Sequence, residues 1–262
     1  MKEAAVGFQC LDCVKQGAAT VRPVRAPYGG VQNANPVSTL VRGNVTRALI
    51  LLNVVAFLLQ GGLSIGFSNN AATNQFTRDY AMIGGSVANG EYYRLITAAF
   101  LHASIMHIAF NMFALYQLGT ALERILGTWR YLAIYFLSAI GGNALSYLHG
   151  GVTQFSLGAS TAVFGLFGAF YIFAKKMGID TRQVLGLIGF NLLITFLIPN
   201  IDKFGHLGGL GVGLLVAVIF TRIPSKQVVQ QALLCLGVLA ALVAAVAVKT
   251  SQLHSQYPGL FG

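Results

Sequence analysis

The sequence predicts an all-α polytopic membrane protein, folded as one bundle of seven transmembrane helices. Three observations lead there. Of 262 residues, 55% are hydrophobic and only 9% are charged, where a soluble domain carries about 25% charged residues. The mean hydropathy is +0.68. Seven apolar runs approach the roughly 20 residues that a spanning helix needs, and tight loops join the fourth to the sixth.

Taken in order, residues 1–43 read as a soluble cytoplasmic tail rich in Gly, Pro, Val and Arg, expected to be poorly ordered. Met1–Arg42 has no apolar core of the kind a cleavable signal peptide needs, so none is expected. The spans run over Asn44–Gly66, Ser104–Leu122, Trp129–Leu148, Gly158–Ala174, Gln183–Pro199, Gly205–Thr221 and Val228–Val248. Between the first two lies the longest external loop, Phe67–Ala103. Its end, Tyr92-Tyr93-Arg94-Leu95-Ile96, suits the membrane interface, where amphipathic rings are favoured. No period of 20–50 residues repeats, which excludes a solenoid. The other loops are short, so consecutive helices should be antiparallel neighbours.

The net charge of +10 is a topology signal. With the amino terminus in the cytoplasm, the inner segments hold Lys2, Lys15, Arg22, Arg25, Arg42, Arg47, Arg124, Arg130, Lys175, Lys176, Arg182, Arg222 and Lys226. The outer segments hold only Arg78, Arg94, Lys203 and Lys249. Thirteen against four is the asymmetry that orients helices in a bilayer. The partner implied by this charge is the lipid bilayer, and no nucleic acid is expected.

That orientation starts the fourth and sixth helices on the outer side, which puts Ser160 and His206 at the same end of the bundle. The second helix also starts outside, and His107 and Asn111, spaced i and i+4, share one of its faces. Each group has an ordinary structural use. A membrane serine often bonds its own i−4 carbonyl, and an asparagine can join helices. An intramembrane histidine, by contrast, is a functional candidate by default. Convergence of all four at one depth favours chemistry. Serine becomes a nucleophile when a neighbouring base takes its proton, and His206 is that base. His107, Asn111 and backbone N–H groups beside Ser160 would supply the donors for an oxyanion. The seven acidic residues, Glu3, Asp12, Asp79, Glu91, Glu123, Asp180 and Asp202, all fall in tails, loops or helix ends. A Ser–His dyad without a charged third member is therefore expected, with Asp202 in a loop and Phe164 packed on the imidazole. Gly205, Gly209 and Gly213 form a small-residue stripe on the sixth helix, and Gly165 and Gly168 answer it on the fourth. Such stripes let helix backbones approach closely.

These residues resemble the rhomboid family of intramembrane serine proteases, over residues 44–222. Gly158-Ala159-Ser160-Thr161 looks like the family's nucleophile motif, and Gly205-His206-Leu207-Gly208-Gly209 like its base motif. His102 to Asn111 looks like its second-helix histidine and asparagine pattern. Gly119-Thr120-Ala121-Leu122-Glu123-Arg124-Ile125-Leu126-Gly127 matches its Gly-xxx-Glu-xxx-Gly turn, where Glu123 would be structural. Thr161 stands where many members carry glycine, and Tyr93-Arg94 where Trp-Arg is usual. The resemblance implies a bacterial-type six-helix core over 44–222, with a seventh helix and short external tail over 223–262. It also implies a single-pass transmembrane protein substrate cut near its outer end. Gly150–Ser156 would rim a water cavity, and the fifth helix, with Phe190, Phe196 and Pro199, would serve as a lateral gate.

Cys10-x-x-Cys13 has zinc-ligand spacing, but a structural site needs four ligands and the first histidine is His102. A truncated half of a zinc ribbon and plain cytosolic thiols both remain open, and no metal or cofactor is expected. The alternative to a protease is a catalytically inactive rhomboid-like binder of membrane proteins, which need not keep Ser160 and His206. A transporter would show inverted repeats, and the sequence has no such symmetry.

Overall fold

The computed structural model describes residues 44–62 and 74–260, and four two-residue strands nearer the amino terminus. These strands pair antiparallel, β1 (Lys2–Glu3) with β2 (Phe8–Gln9) and β3 (Val24–Arg25) with β4 (Val31–Gln32). Cys10, Cys13 and the start of the long external loop lie outside the described residues.

Among the described residues, seven long helices fall at the places of the seven apolar runs. They are α1 (Asn44–Leu59), then, after the outer loop layer, α5 (Ile105–Leu126), α6 (Thr128–Gly150), α7 (Ser160–Lys176), α8 (Arg182–Leu197), α9 (Lys203–Arg222) and α10 (Val228–Gln256). The loop layer holds α2 (Gln75–Tyr80), β5 (Met82–Ile83), α3 (Gly84–Ala88) and α4 (Arg94–Thr97). Between α6 and α7, β6 (Phe155–Ser156) pairs antiparallel with β5. By length and composition α5, α6, α9 and α10 are able to cross a membrane, while α1 and α8 are shorter apolar helices of 16 residues.

The helix ends differ from expectation for local reasons at α1 and α7 and for a tertiary one at α10. α1 stops at Leu59 instead of running to Gly66, and Gly61 just beyond has φ 71°, a left-handed stop. α7 begins at Ser160 because Gly158 has φ 134°, outside helical space. α10 runs eight residues past Val248 because its polar last turns are docked. Tyr147 Oη and Thr250 Oγ1 are 2.9 Å apart, His254 Nε2 donates to the Ala88 carbonyl at 2.9 Å, and Leu253 is buried.

α7 is apolar all round and buried on most sides, as a helix with no polar face must be. It sits between α6 and α9, with Tyr131, Tyr135, Leu166, Phe173, Val216 and Phe220 in the shared core. The outward faces expose Leu52, Phe110, Phe113, Leu193, Leu215 and Val243, an apolar coat suited to lipid. Lipid is as apolar as leucine, so helix association here relies on close packing and hydrogen bonds. Glycines provide the packing. A methyl group on Gly209 would land on the Thr161 carbonyl of α7, and one on Gly213 on the Gly165 backbone.

The Gly-xxx-Glu-xxx-Gly turn has a clear mechanical account. A Cβ at Gly119 would crowd Thr46 at 2.9 Å and the Tyr131 hydroxyl at 2.5 Å. Gly127, at φ 76° and ψ 169°, turns the chain between α5 and α6 through backbone space open only to glycine. Between them Glu123 accepts from Thr46 N at 3.0 Å, Thr46 Oγ1 at 2.7 Å and Val45 N at 3.3 Å. Its carboxylate thereby satisfies the orphan N–H groups at the start of α1. Glu123→Ala is expected to cost about 2 kcal/mol, read as a lower unfolding midpoint of the purified protein. An unchanged midpoint would mean that α1 is anchored elsewhere.

Arg94 anchors the outer loop: its guanidinium donates to the carbonyls of Arg78 at 2.6 Å and Ala81 at 2.8 Å and pairs with Glu91 at 2.6 Å. The Tyr93 hydroxyl also donates to Glu91, at 2.8 Å, and that bond, ahead of Arg94, holds the Glu91 carboxyl below its ordinary range. The Tyr93-Arg94 pair is thus the loop's fastening.

Candidate active site

Ser160 is the first residue of α7, where the N–H groups of the opening turn lack intrahelical partners. His206 lies in the first turns of α9 and its backbone N–H donates to the Asp202 carbonyl at 3.1 Å. His206 Nε2 is 2.8 Å from Ser160 Oγ. His206 is 8% exposed. Phe164, one turn after Ser160, stacks on it with ring centroids 4.3 Å apart and planes 20° apart. The stacking face and the hydrogen bond both follow from the near contact of α7 and α9 backbones at Gly209 and Gly213.

Asp202 lies in the loop, as expected, and from there caps α9. Its Oδ1 accepts from Gly205 N at 2.8 Å and its Oδ2 from Ser146 Oγ at 2.6 Å. Both oxygens are engaged away from the imidazole. His206 Nδ1 instead lies 2.7 Å from the hydroxyl of Thr195, on α8. Sequence reasoning passed over Thr195. The available signal was its spacing with Asn191, an i, i+4 pair of polar side chains within the apolar stretch of α8.

His107 enters from α5. Ser104 caps that helix by accepting from His107 N at 3.2 Å, and His107 Nδ1 accepts from Ala103 N at 3.3 Å. A ring nitrogen that accepts carries no proton, so Nε2 is the N–H of this tautomer. A Cβ placed on Gly158 would lie 2.9 Å from that Nε2 and 3.4 Å from Ser160 Oγ. His107 Nε2–H and the serine oxygen therefore flank one point, which a side chain at position 158 would fill. Asn111, one turn along, is buried and its amide donates to the His107 carbonyl at 3.0 Å. The structure thus brings Ser160, His206 and the His107 ring together, while the one bond of the Asn111 amide runs back to its own helix.

A polar cleft of about 340 Å³ opens nearby, lined by Gln154, Phe155, Asn200, Ile201 and Asp202. It includes part of the Gly150–Ser156 segment. On α8, Phe190 and Phe196 are exposed on the outer surface, with the Lys203 ammonium 5.8 Å from the Phe196 ring. Among the described residues no group of three metal-ligating side chains occurs.

A half-buried serine in hydrogen-bond contact with a buried histidine, set among apolar helices, is the arrangement of a serine-hydrolase-like site. The chain itself matches the family profile of the Rhomboid domain over residues 89–223. It is 35% identical over 220 residues to Rhomboid protease GluP of Bacillus subtilis, covering 80% of this chain but 40% of that protein. The Bacillus subtilis protein YdcA is 36% identical over 185 residues, covering 68% of this chain and 92% of YdcA. Rhomboid-like protease 1 of Toxoplasma gondii is 33% identical over 145 residues, or 52% of this chain and 50% of the relative. The chain belongs to the rhomboid family and is an integral, multi-pass membrane protein.

Proposed function

We propose that this rhomboid protein is an intramembrane serine endopeptidase. Ser160 is the nucleophile and His206 the general base, and the observation that carries the assignment is their 2.8 Å contact. In the first step Ser160 Oγ bonds to the scissile carbonyl carbon while its proton passes to His206 Nε2. The carbonyl π pair moves to oxygen and forms an oxyanion. His107 Nε2–H, the Asn111 amide and the N–H groups at the start of α7 meet that charge. The His206 proton then goes to the leaving amine as the C–N bond breaks. A water molecule, deprotonated by His206, releases the acyl group and restores Ser160.

The preferred substrate is a single-pass transmembrane protein, cut near the outer face of the bilayer. The charge asymmetry supports this, because a cytoplasmic amino terminus starts α7 and α9 outside. All seven long helices span the membrane, with 1–43 as the cytoplasmic tail, 44–222 as the protease core and 223–262 as an appended helix and tail. α8 exposes apolar rings and buries few residues, which supports it as the lateral entrance.

A fluorophosphonate probe tests the assignment. The wild-type protein is expected to be modified covalently, and Ser160→Ala to be unmodified at equal folded concentration. Labelling that persists in Ser160→Ala would sink the assignment of the nucleophile.

A further inference from the structure

We propose that Thr195 is the positioning residue of the base. Its hydroxyl selects the reactive tautomer of His206 and holds the ring toward Ser160, the task a carboxylate performs in a catalytic triad. This rests on the reading of Ser160 and His206 as nucleophile and base.

Proton counting carries the inference. Thr195 Oγ1 lies 2.8 Å from the Asn191 carbonyl oxygen, which can only accept. A hydroxyl has one proton, so that bond takes it. Oγ1 is also 2.7 Å from His206 Nδ1, and with its proton committed it can only accept there. Nδ1 therefore carries the ring's N–H. A neutral imidazole has one such proton, which leaves Nε2 bare and facing Ser160 Oγ at 2.8 Å. Ser160 must then be the donor, as attack requires. One backbone carbonyl, at Asn191, thus sets the direction of three hydrogen bonds. No proton needs to reach Thr195 at any stage. When Nε2 takes the serine proton, Nδ1–H continues to donate to the same oxygen.

The side chain is built for the task. Thr195 is 1% exposed, and a β-branched side chain in a helix has few rotamers. Phe164 fixes the plane of the imidazole from α7 while Thr195 fixes its rotation within that plane from α8. α8 buries only Val184, Ile188 and Thr195. Alignment of the base therefore depends on how the least enclosed of the neighbouring helices is seated.

The ordinary account is a threonine bonded to its own i−4 carbonyl, as in many membrane helices, with the imidazole contact incidental. Thr195→Val, close in shape but without the hydroxyl, and Thr195→Ser, which keeps it, separate the two. Cleavage of a reporter transmembrane substrate by the full-length protein in lipid vesicles gives kcat and KM, and thermal unfolding gives a stability control. Thr195→Val is expected to lose roughly 10- to 100-fold in kcat at unchanged KM, and Thr195→Ser to recover most of it. Wild-type kcat in Thr195→Val, or a serine variant as slow as the valine one, would overturn the proposal. If the valine variant fails to fold, Thr195→Ala against Thr195→Ser makes the same comparison. Ser160→Ala in the same assay keeps the failures apart. Cleavage surviving there defeats the underlying dyad, whereas an inert Ser160→Ala beside a fully active Thr195→Val defeats Thr195 alone.

Discussion

His206→Ala is expected to reduce kcat for a transmembrane reporter by about 10,000- to 1,000,000-fold, with the helical fold retained. The magnitude follows from how serine hydrolases respond when nucleophile or base is removed, since the two act as a unit. Without Nε2 at 2.8 Å, Ser160 Oγ loses the acceptor that takes its proton. His107 cannot replace it, because its unprotonated nitrogen faces the Ala103 N–H. The structural cost should be smaller than the catalytic one. Phe164 loses a stacking partner and the Thr195 oxygen an N–H donor, while the α7–α9 backbone contacts remain. Cleavage assays paired with thermal unfolding make the check. Near-normal turnover in His206→Ala would refute the base assignment.

Gly209→Val should act through the scaffold. A Cβ there would lie 2.8 Å from the Thr161 carbonyl carbon and closer still to its oxygen, both in backbone that no rotamer change can move. Helix α9 must therefore shift away from α7. We expect a loss of at least about 3 kcal/mol and, in any folded fraction, a drop in turnover of about 100-fold, since a displacement of about 1 Å in a catalytic pair has that effect. Gly211→Val is the matched control: it lies two residues along the same helix, with open space around its Cβ. It should unfold and cleave like the wild type. If both variants behaved alike, helix propensity would explain the loss and close backbone approach would not.

Much of this was legible in the sequence because lipid imposes strong patterns. Apolar runs placed all seven long helices, with errors at their ends. At α1 and α7 the cause is a local glycine conformation, whereas the extension of α10 has a tertiary cause that composition does not carry. Lys249–Gln256 is polar, yet stays helical because Thr250 and His254 find partners on α6 and α3. Glycine spacing along α9 announced the close contact with α7, and the i, i+4 pair put His107 and Asn111 on one face. Asp202 falls in the loop as read, and caps α9 locally through Gly205 N, while the bond from Ser146 to its second oxygen comes from 56 residues earlier in the chain, beyond the reach of local pattern. For Thr195 the i, i+4 spacing with Asn191 marks a polar pair but not what the pair faces. Its role depends on the rotation of α8 about its own axis, and a helix so uniformly apolar gives the sequence little means of setting that rotation.

The neutrality of the imidazole's support has a consequence for the electrical history of a turnover. A carboxylate behind His206 would make the resting site a net anion, and a lone buried charge in a low-dielectric medium costs several kcal/mol after relaxation. With a hydroxyl there, the proposed chemistry starts uncharged. Proton transfer then creates imidazolium and oxyanion together, so their sum stays zero while each is stabilised by the other. No formal charge must be imported into the membrane or stored there between cycles. A site of this kind gives neither ionic strength nor transmembrane voltage a net charge to act on.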